Sequence, residues 1–300
     1  MIKILTDKFG SAFLVAIALI FAGIVFLNAY NTHMIIKVIL LLVEGVVLNY
    51  LCFRYSILGH QSNAVLPVFA TLSVLILPNL SYADLIYGLV WLGTFFLAFE
   101  SRDYKNLSIN FMIFSGILLG VAQTVNNNSI LLMVPIFVLF IQAGIRELRG
   151  FILSMLYFAM VVASYVGILF VMERTETITN LLPYLTFDYL AFDTIITKLF
   201  FPFVILMIIG HTLHLNNYRF RFPNKLKITN YTMLVQLGLA LLLILITAQV
   251  DLFIYAIMAS AILLSFLFSY LKHSVFVNAV FASLVCIALI SLYFYKILIL

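Results

Sequence analysis

Runs of about 20 apolar residues follow one another along nearly the whole chain, with only a few polar positions between them. That length matches the roughly 30 Å hydrocarbon core of a bilayer at 1.5 Å of rise per helical residue. Composition decides the environment of these runs. The chain is 65% hydrophobic and 9% charged, with a mean hydropathy of +1.22. A water-soluble domain carries about one quarter charged residues, and a surface with so few could not be covered in water. Most runs lack the two-residue alternation of an outer-membrane barrel strand. Helices, which satisfy their own backbone hydrogen bonds, are therefore expected.

The runs place spans at 10–30, 34–53, 64–80, 83–99, 108–125, 129–145, 151–172, 194–214, 229–248, 251–270 and 275–296. The expected fold is an all-α polytopic transmembrane bundle of about 11 helices, one domain over residues 1–300. The first run follows Lys3 and Lys8 and has no clear small-x-small cleavage site, so it reads as a retained helix. Basic residues set the orientation. With the N-terminus inside, 12 of the 16 Lys and Arg fall on the cytoplasmic side. Lys37, Arg174, Lys198 and Lys296 fall outside. The expectation is N-terminus in, C-terminus out, in a bacterial inner membrane.

The net charge of +5 sits in short loops, without the basic patch and interleaved aromatics of a nucleic-acid surface. Lipid headgroups are the expected partners, with other membrane subunits as a further possibility. Cys52 and Cys286 both lie in apolar runs, which argues against a disulfide or a thiolate metal site.

Glu44 is the sharpest candidate for function. It lies in ILLLVEGVVL, near the middle of the second span. An ionised acid there costs roughly 2.5–3.5 kcal/mol on insertion scales, so such acids face the bundle interior, water or a partner. An ion, proton or substrate contact is the functional reading. A structural hydrogen bond between helices, or a contact with another subunit, is the bland one. Lys37 is two turns away on the same face, too far for a direct bond.

The outer segment ITNLLPYLTFDYLAFDTIITK holds Asp188 and Asp193. Five residues apart, they diverge by about 140° on a helix, which suits no shared carboxylate site. With Tyr184, Phe187, Tyr189 and Phe192 the segment reads as an interfacial or re-entrant helix, or more pointedly as a lid over a lipid-linked substrate. His211 and His214 have an i, i+3 spacing, but no further ligand joins them, so no metal site and no cofactor are assigned. Gly116 and Gly120 form a small-xxx-small face for close packing. Gln123 and Asn126, Asn127 and Asn128 read as a polar turn, with Asn127 a candidate substrate contact. Pro135 and Pro202 fall inside spans and are expected to kink them. RFRFPNKLK, with Arg219, Arg221, Lys225 and Lys227, reads as a lipid-binding or partner-docking surface. The chain has no Walker A loop, HExxH, GxSxG or CxxC.

Three stretches carry a resemblance: HQSNAVLPVF (60–69), LAFESRDYKNLSINFMIFSGILLGVAQTVNNNSILLMVPIF (97–137) and IRELRGFILSMLYFAMVVASYV (145–166). Over these the chain resembles an uncharacterised family of inner-membrane proteins of about 300 residues from Bacteroidota. The matching positions are Asn63, Arg102, Gly116, Gly120, Arg146 and Arg149. The resemblance implies a multi-pass cell-envelope protein and no established activity.

The sequence favours one function and leaves two alternatives. The first is a non-catalytic subunit of an envelope-biogenesis or secretion assembly. The second is a glycosyltransferase or polysaccharide polymerase acting on a lipid-linked glycan. Its catalytic acid would be expected in the first outer loop, which reads NAYNTHMII and has none; Asp84 and Asp188 are poor substitutes. The third is a secondary transporter using Glu44, which requires a watery path to that residue.

Overall fold

The computed structural model describes residues 9–27, 32–58, 62–104, 107–174, 224–247, 252–270 and 274–299, with isolated positions between 178 and 213. The described residues are helical with no strand. They form α1 (Phe9–Leu27), α2 (Thr32–Arg54), α3 (Val65–Ser73), α4 (Tyr82–Asp103), α5 (Ser108–Val125), α6 (Met133–Gln142), α7 (Leu148–Val171), α8 (Asn224–Thr247), α9 (Phe253–Tyr270) and α10 (Ser274–Ile299). Six of them, α2, α4, α5, α7, α8 and α9, are long and apolar enough to cross a membrane. Ten of the eleven expected spans have a helical counterpart. The expected span 194–214 lies largely outside the described residues.

The surface is what acyl chains would solvate. Leu148, Ile152, Met155, Met160, Ile168 and Phe170 of α7 are exposed, as are Ile39, Val43 and Val47 of α2. Glu44, Asp84, Gln123 and Gln236 are buried instead. Exposed apolar area on this scale marks a lipid or partner surface rather than a soluble one.

Two helices form the centre. α9 is buried at every position from Phe253 to Phe266, and all nine residues of α3 are buried. α3 packs on α1, α2, α9 and α10, and α9 on α3, α4 and α8. Three buried threonines bond within their own helices: Thr71 donates to the Pro67 carbonyl (2.8 Å), Thr94 to Val90 (2.9 Å) and Thr247 to Leu243 (2.8 Å).

The expected span at 64–80 is not one α-helix. After Ser73 the chain tightens: Leu75 N–H bonds the Leu72 carbonyl, Ile76 that of Ser73, and Leu77 that of Val74, leading into a 3₁₀ turn at Leu77–Asn79. The tighter winding rises about 2.0 Å per residue. The short segment therefore still reaches about 27 Å, close to a hydrocarbon thickness. Nor does Pro135 kink its helix. It is the third residue of α6, in the first turn, where a missing N–H leaves no bond unmade. The irregularity lies just before it, as a 3₁₀ turn at Ser129–Leu132.

The Gly116 and Gly120 face does pack closely. α7 buries one stripe, Gly150, Ser154 and Phe158, against α5. A Cβ at Gly116 would collide with the Ser154 carbonyl and lie 2.8 Å from its Oγ; one at Gly120 would lie 2.8 Å from Val161 Cβ, and one at Gly150 2.5 Å from Met112 Sδ. These contacts keep the same order along both helices, so α5 and α7 run parallel across the intervening α6. Gly116→Ala is expected to cost about 1–3 kcal/mol through overpacking. Gly167→Ala, with open space around it, should cost nothing. Denaturation midpoints in mixed detergent micelles check this, and equal midpoints for the two variants would contradict it.

Candidate functional site

Glu44 lies midway along α2 and is 1% exposed. Its side chain leaves α2 toward α4, while the next residue faces the other way. A Cβ at Gly45 would stand 2.7 Å from Phe69 of α3. Gly45 thus allows α2 to close on α3, and Glu44 is delivered to the opposite seam.

There it meets a notch. A Cβ at Gly88 of α4 would stand 2.5 Å from Glu44 Oε2 and 2.9 Å from Oε1. The missing side chain at Gly88 is the space the carboxyl occupies. Leu41 and Leu48, one turn either way on the same face of α2, are fully buried. Among the described residues, neither carboxyl oxygen has a hydrogen-bond partner. The reason is chemical. A carboxylate only accepts hydrogen bonds, and mid-helix N–H groups are already used by their own helices. The buried threonines donate to helix carbonyls; an ionised Glu44 has nothing to donate.

A second buried acid, Asp84, lies one turn before Gly88 on α4. Asp84 is 2% exposed and closes a capping box at the start of α4. Its Oδ2 accepts from Ser81 N–H (2.6 Å), and Ser81 Oγ accepts from Asp84 N–H (3.1 Å). The Ser81 N–H thus gives the Asp84 carboxyl a donor at the helix N-terminus. The two acids are thus unlike: one is supplied with donors, the other is not.

Polar contacts close both ends of the α2/α4 seam. At one end Lys37 Nζ donates to the Leu80 carbonyl (2.8 Å) and lies 4.9 Å from the centre of the Tyr82 ring. His33 Nδ1 is 3.4 Å from the Tyr82 hydroxyl. At the other end Arg54 forms an ion pair with Glu100, and Tyr55 Oη donates to the same carboxylate (3.0 Å). The Arg54 guanidinium also sits over the rings of Tyr55 and Phe96.

The other expected residues fall elsewhere. Asn127 belongs to a structural turn: its carbonyl accepts from Gln123 Nε2, which also donates to the Leu181 carbonyl (2.8 Å). Gln123 Oε1 in turn accepts from Ile130 N–H (2.7 Å). Lys227 is half-buried on α8; the side chain of Lys225, and Asp188, Asp193, His211, His214, Arg219 and Arg221, lie outside the described residues. Cys52 and Cys286 are free thiols. Among the described residues, no group of three or more His, Cys, Asp or Glu is placed to hold a metal ion.

Several site features escaped the sequence reading. Gly88 looks like any membrane glycine, and Glu100 sits in the charged stretch FESRD, where it reads as a headgroup-level residue. Asn49, which donates to Asn63 Oδ1 (3.0 Å), and Gln236, which accepts from Tyr255 and donates to the Pro135 carbonyl (3.0 Å), are single polar residues in apolar runs. That is the signal that marked Glu44.

Gly88→Ala is expected to push the Glu44 carboxyl out of its notch and cost about 1–3 kcal/mol. In the Glu44→Ala background the same change should be milder, a coupling of about 0.5–3 kcal/mol. A double-mutant cycle on denaturation midpoints measures it, and additive effects would show that the notch does not hold the carboxyl. Compared with protein-family profiles, with curated proteins and with solved structures, the chain matches none.

Proposed function

We propose that this chain is a multi-pass transporter of a bacterial inner membrane, with Glu44 as its proton or small-cation site. One observation carries the reading: a carboxyl group enclosed in the bundle's own core, with no donor on either oxygen among the described residues. An ionised acid in that position is unstable by several kcal/mol. It must carry a proton or hold a cation, and an acid that exchanges either one can couple it to a second movement.

The surroundings support exchange over permanent structure. A structural acid between helices would be expected to end on a donor, as Glu100 does on Arg54 and Tyr55. The full reading has about eleven spans, the N-terminus cytoplasmic and the C-terminus outside. It is supported by the 12 to 4 division of basic residues. Kinship with the Bacteroidota family is part of the same reading and adds no activity.

A non-catalytic subunit of an envelope-biogenesis or secretion assembly is the second reading. It draws on the absence of a reaction motif, and the inward placement of Glu44 gives it no help, because that residue is buried against this chain's own α4. A glycan-transferring enzyme needs an accessible outer acid. Asp84 is buried and engaged as a cap.

The test is binding. In detergent, the thermal midpoint of the wild type is expected to depend on one small monovalent cation, Li⁺, Na⁺, K⁺ or H⁺, at constant ionic strength. A ligand at 100 times its Kd adds about 2.7 kcal/mol to stability. Glu44→Gln should remove that dependence, and with it any proton or cation flux in proteoliposomes. The same cation and pH dependence in both proteins would remove Glu44 from the function.

A further inference from the structure

Glu44 is enclosed as it stands, so anything that binds it needs a way in, and the α2/α4 seam offers two. The cross-links along the seam keep one order: Lys37 to Leu80, Glu44 to Gly88, Arg54 to Glu100. The sequence separations are 43, 44 and 46. The two helices therefore run parallel and nearly in register, with the acid between two polar closures. Along α2, Lys37 is about 10 Å and Arg54 about 15 Å from Glu44 at 1.5 Å per residue.

We infer that these closures are two gates on one site: Arg54, Glu100 and Tyr55 shut the approach from one face of the membrane, and Lys37 on the Leu80 carbonyl shuts it from the other. The inference rests on the reading of Glu44 as the binding acid and adds how its occupant is admitted.

The two closures suit this role because each can open without unfolding a helix. Arg54 is 43% exposed while Glu100 is 8% exposed, so water already reaches the cation and can replace the pair as it parts. Opening leaves Glu100 with the Tyr55 hydroxyl as a remaining donor (3.0 Å). At the other end, Lys37 holds a carbonyl at the end of the 3₁₀ turn. A 3₁₀ segment within a span has poorer hydrogen-bond geometry than an α-helix and is a common hinge. Release of Lys37 would free that turn, and with it the Ser81–Asp84 cap beside Glu44. Opening both closures together would leave a continuous leak, so the arrangement works only if one is shut while the other opens.

The chain contains a reporter for one gate. Cys52 is two residues from Arg54 and 1% exposed. Leu41, fully buried between Lys37 and Glu44, is the matching position for the other gate once changed to cysteine. The experiment uses the full chain in proteoliposomes, with Cys286→Ser throughout. Cys52, or a cysteine from Leu41→Cys in a Cys52→Ser background, is labelled with N-ethylmaleimide and followed by mass. Glu100→Gln is expected to speed labelling of Cys52 about tenfold and leave the cysteine at 41 within about twofold. Lys37→Met is expected to do the reverse. The exchange Arg54→Glu with Glu100→Arg should slow Cys52 again.

Equal acceleration of both cysteines by either variant would mean general loosening of the fold and would overturn the two-gate arrangement, as would no acceleration at all. The labelling does not depend on what Glu44 binds. Selective labelling together with a cation-insensitive midpoint would keep the gates and discard the binding reading; the opposite pair of results would keep the site and discard the gates.

Discussion

Glu44 is an acceptor that no donor reaches among the described residues, and the rest of the seam is organised around that mismatch. α2 must pass close to α4 for the carboxyl to be shielded at all, and Gly88 provides the room. α3 must then return the chain between them, and Gly45 lets it come close enough to bury Phe69. The lengthened 3₁₀ end of that return sets Leu80 beside Lys37 and Ser81 in position to cap α4 with Asp84. The second acid is therefore near the first because the turn that carries it is fixed by α2 itself.

The bundle uses one packing device twice, with different chemistry. α5 and α7 are parallel across α6 as α2 and α4 are across α3. In the α5/α7 pair Gly116 and Gly120 bring backbone against backbone, and Gly150 admits the Met112 side chain. In lipid, where helices gain little from hiding apolar surface, such close contact is what holds two of them together. The α2/α4 pair gives up that contact around Glu44 and compensates at its ends with an ion pair and a lysine on a carbonyl. Stability has been moved from the middle of the seam to its two ends.

Much of the fold was legible because acyl chains leave the backbone so little choice. A run long enough to cross must close its own hydrogen bonds, so run length alone located α2, α4, α5, α7, α8 and α9. It could not distinguish α-helix from 3₁₀ at Val74–Asn79, because the same apolar residues suit both windings. Pro135 shows a second limit. A proline inside an apolar run predicts a kink, yet whether it breaks anything depends on where the helix starts. Glu44 was legible as a single charge in an apolar run. Its notch was not: which helix lies opposite, and in what register, depends on a separation of 44 residues that no local pattern encodes. Glu100 was hidden by its neighbours, since a charge beside Arg102 at the end of a run looks ordinary until Arg54 is found across from it.

The most direct measurement of the central claim is the reaction of the chain in membranes with a hydrophobic carbodiimide, located by peptide mass. Such reagents enter from lipid and modify carboxyl groups that carry a proton in apolar surroundings. Modification is expected at Glu44, with Glu100 held by Arg54 and Asp84 held by its cap left intact, and protection of Glu44 by whichever cation raises the thermal midpoint. Modification of Glu100 or Asp84 with Glu44 untouched would contradict it, because Glu44 would then not be the buried acid without a donor among the described residues.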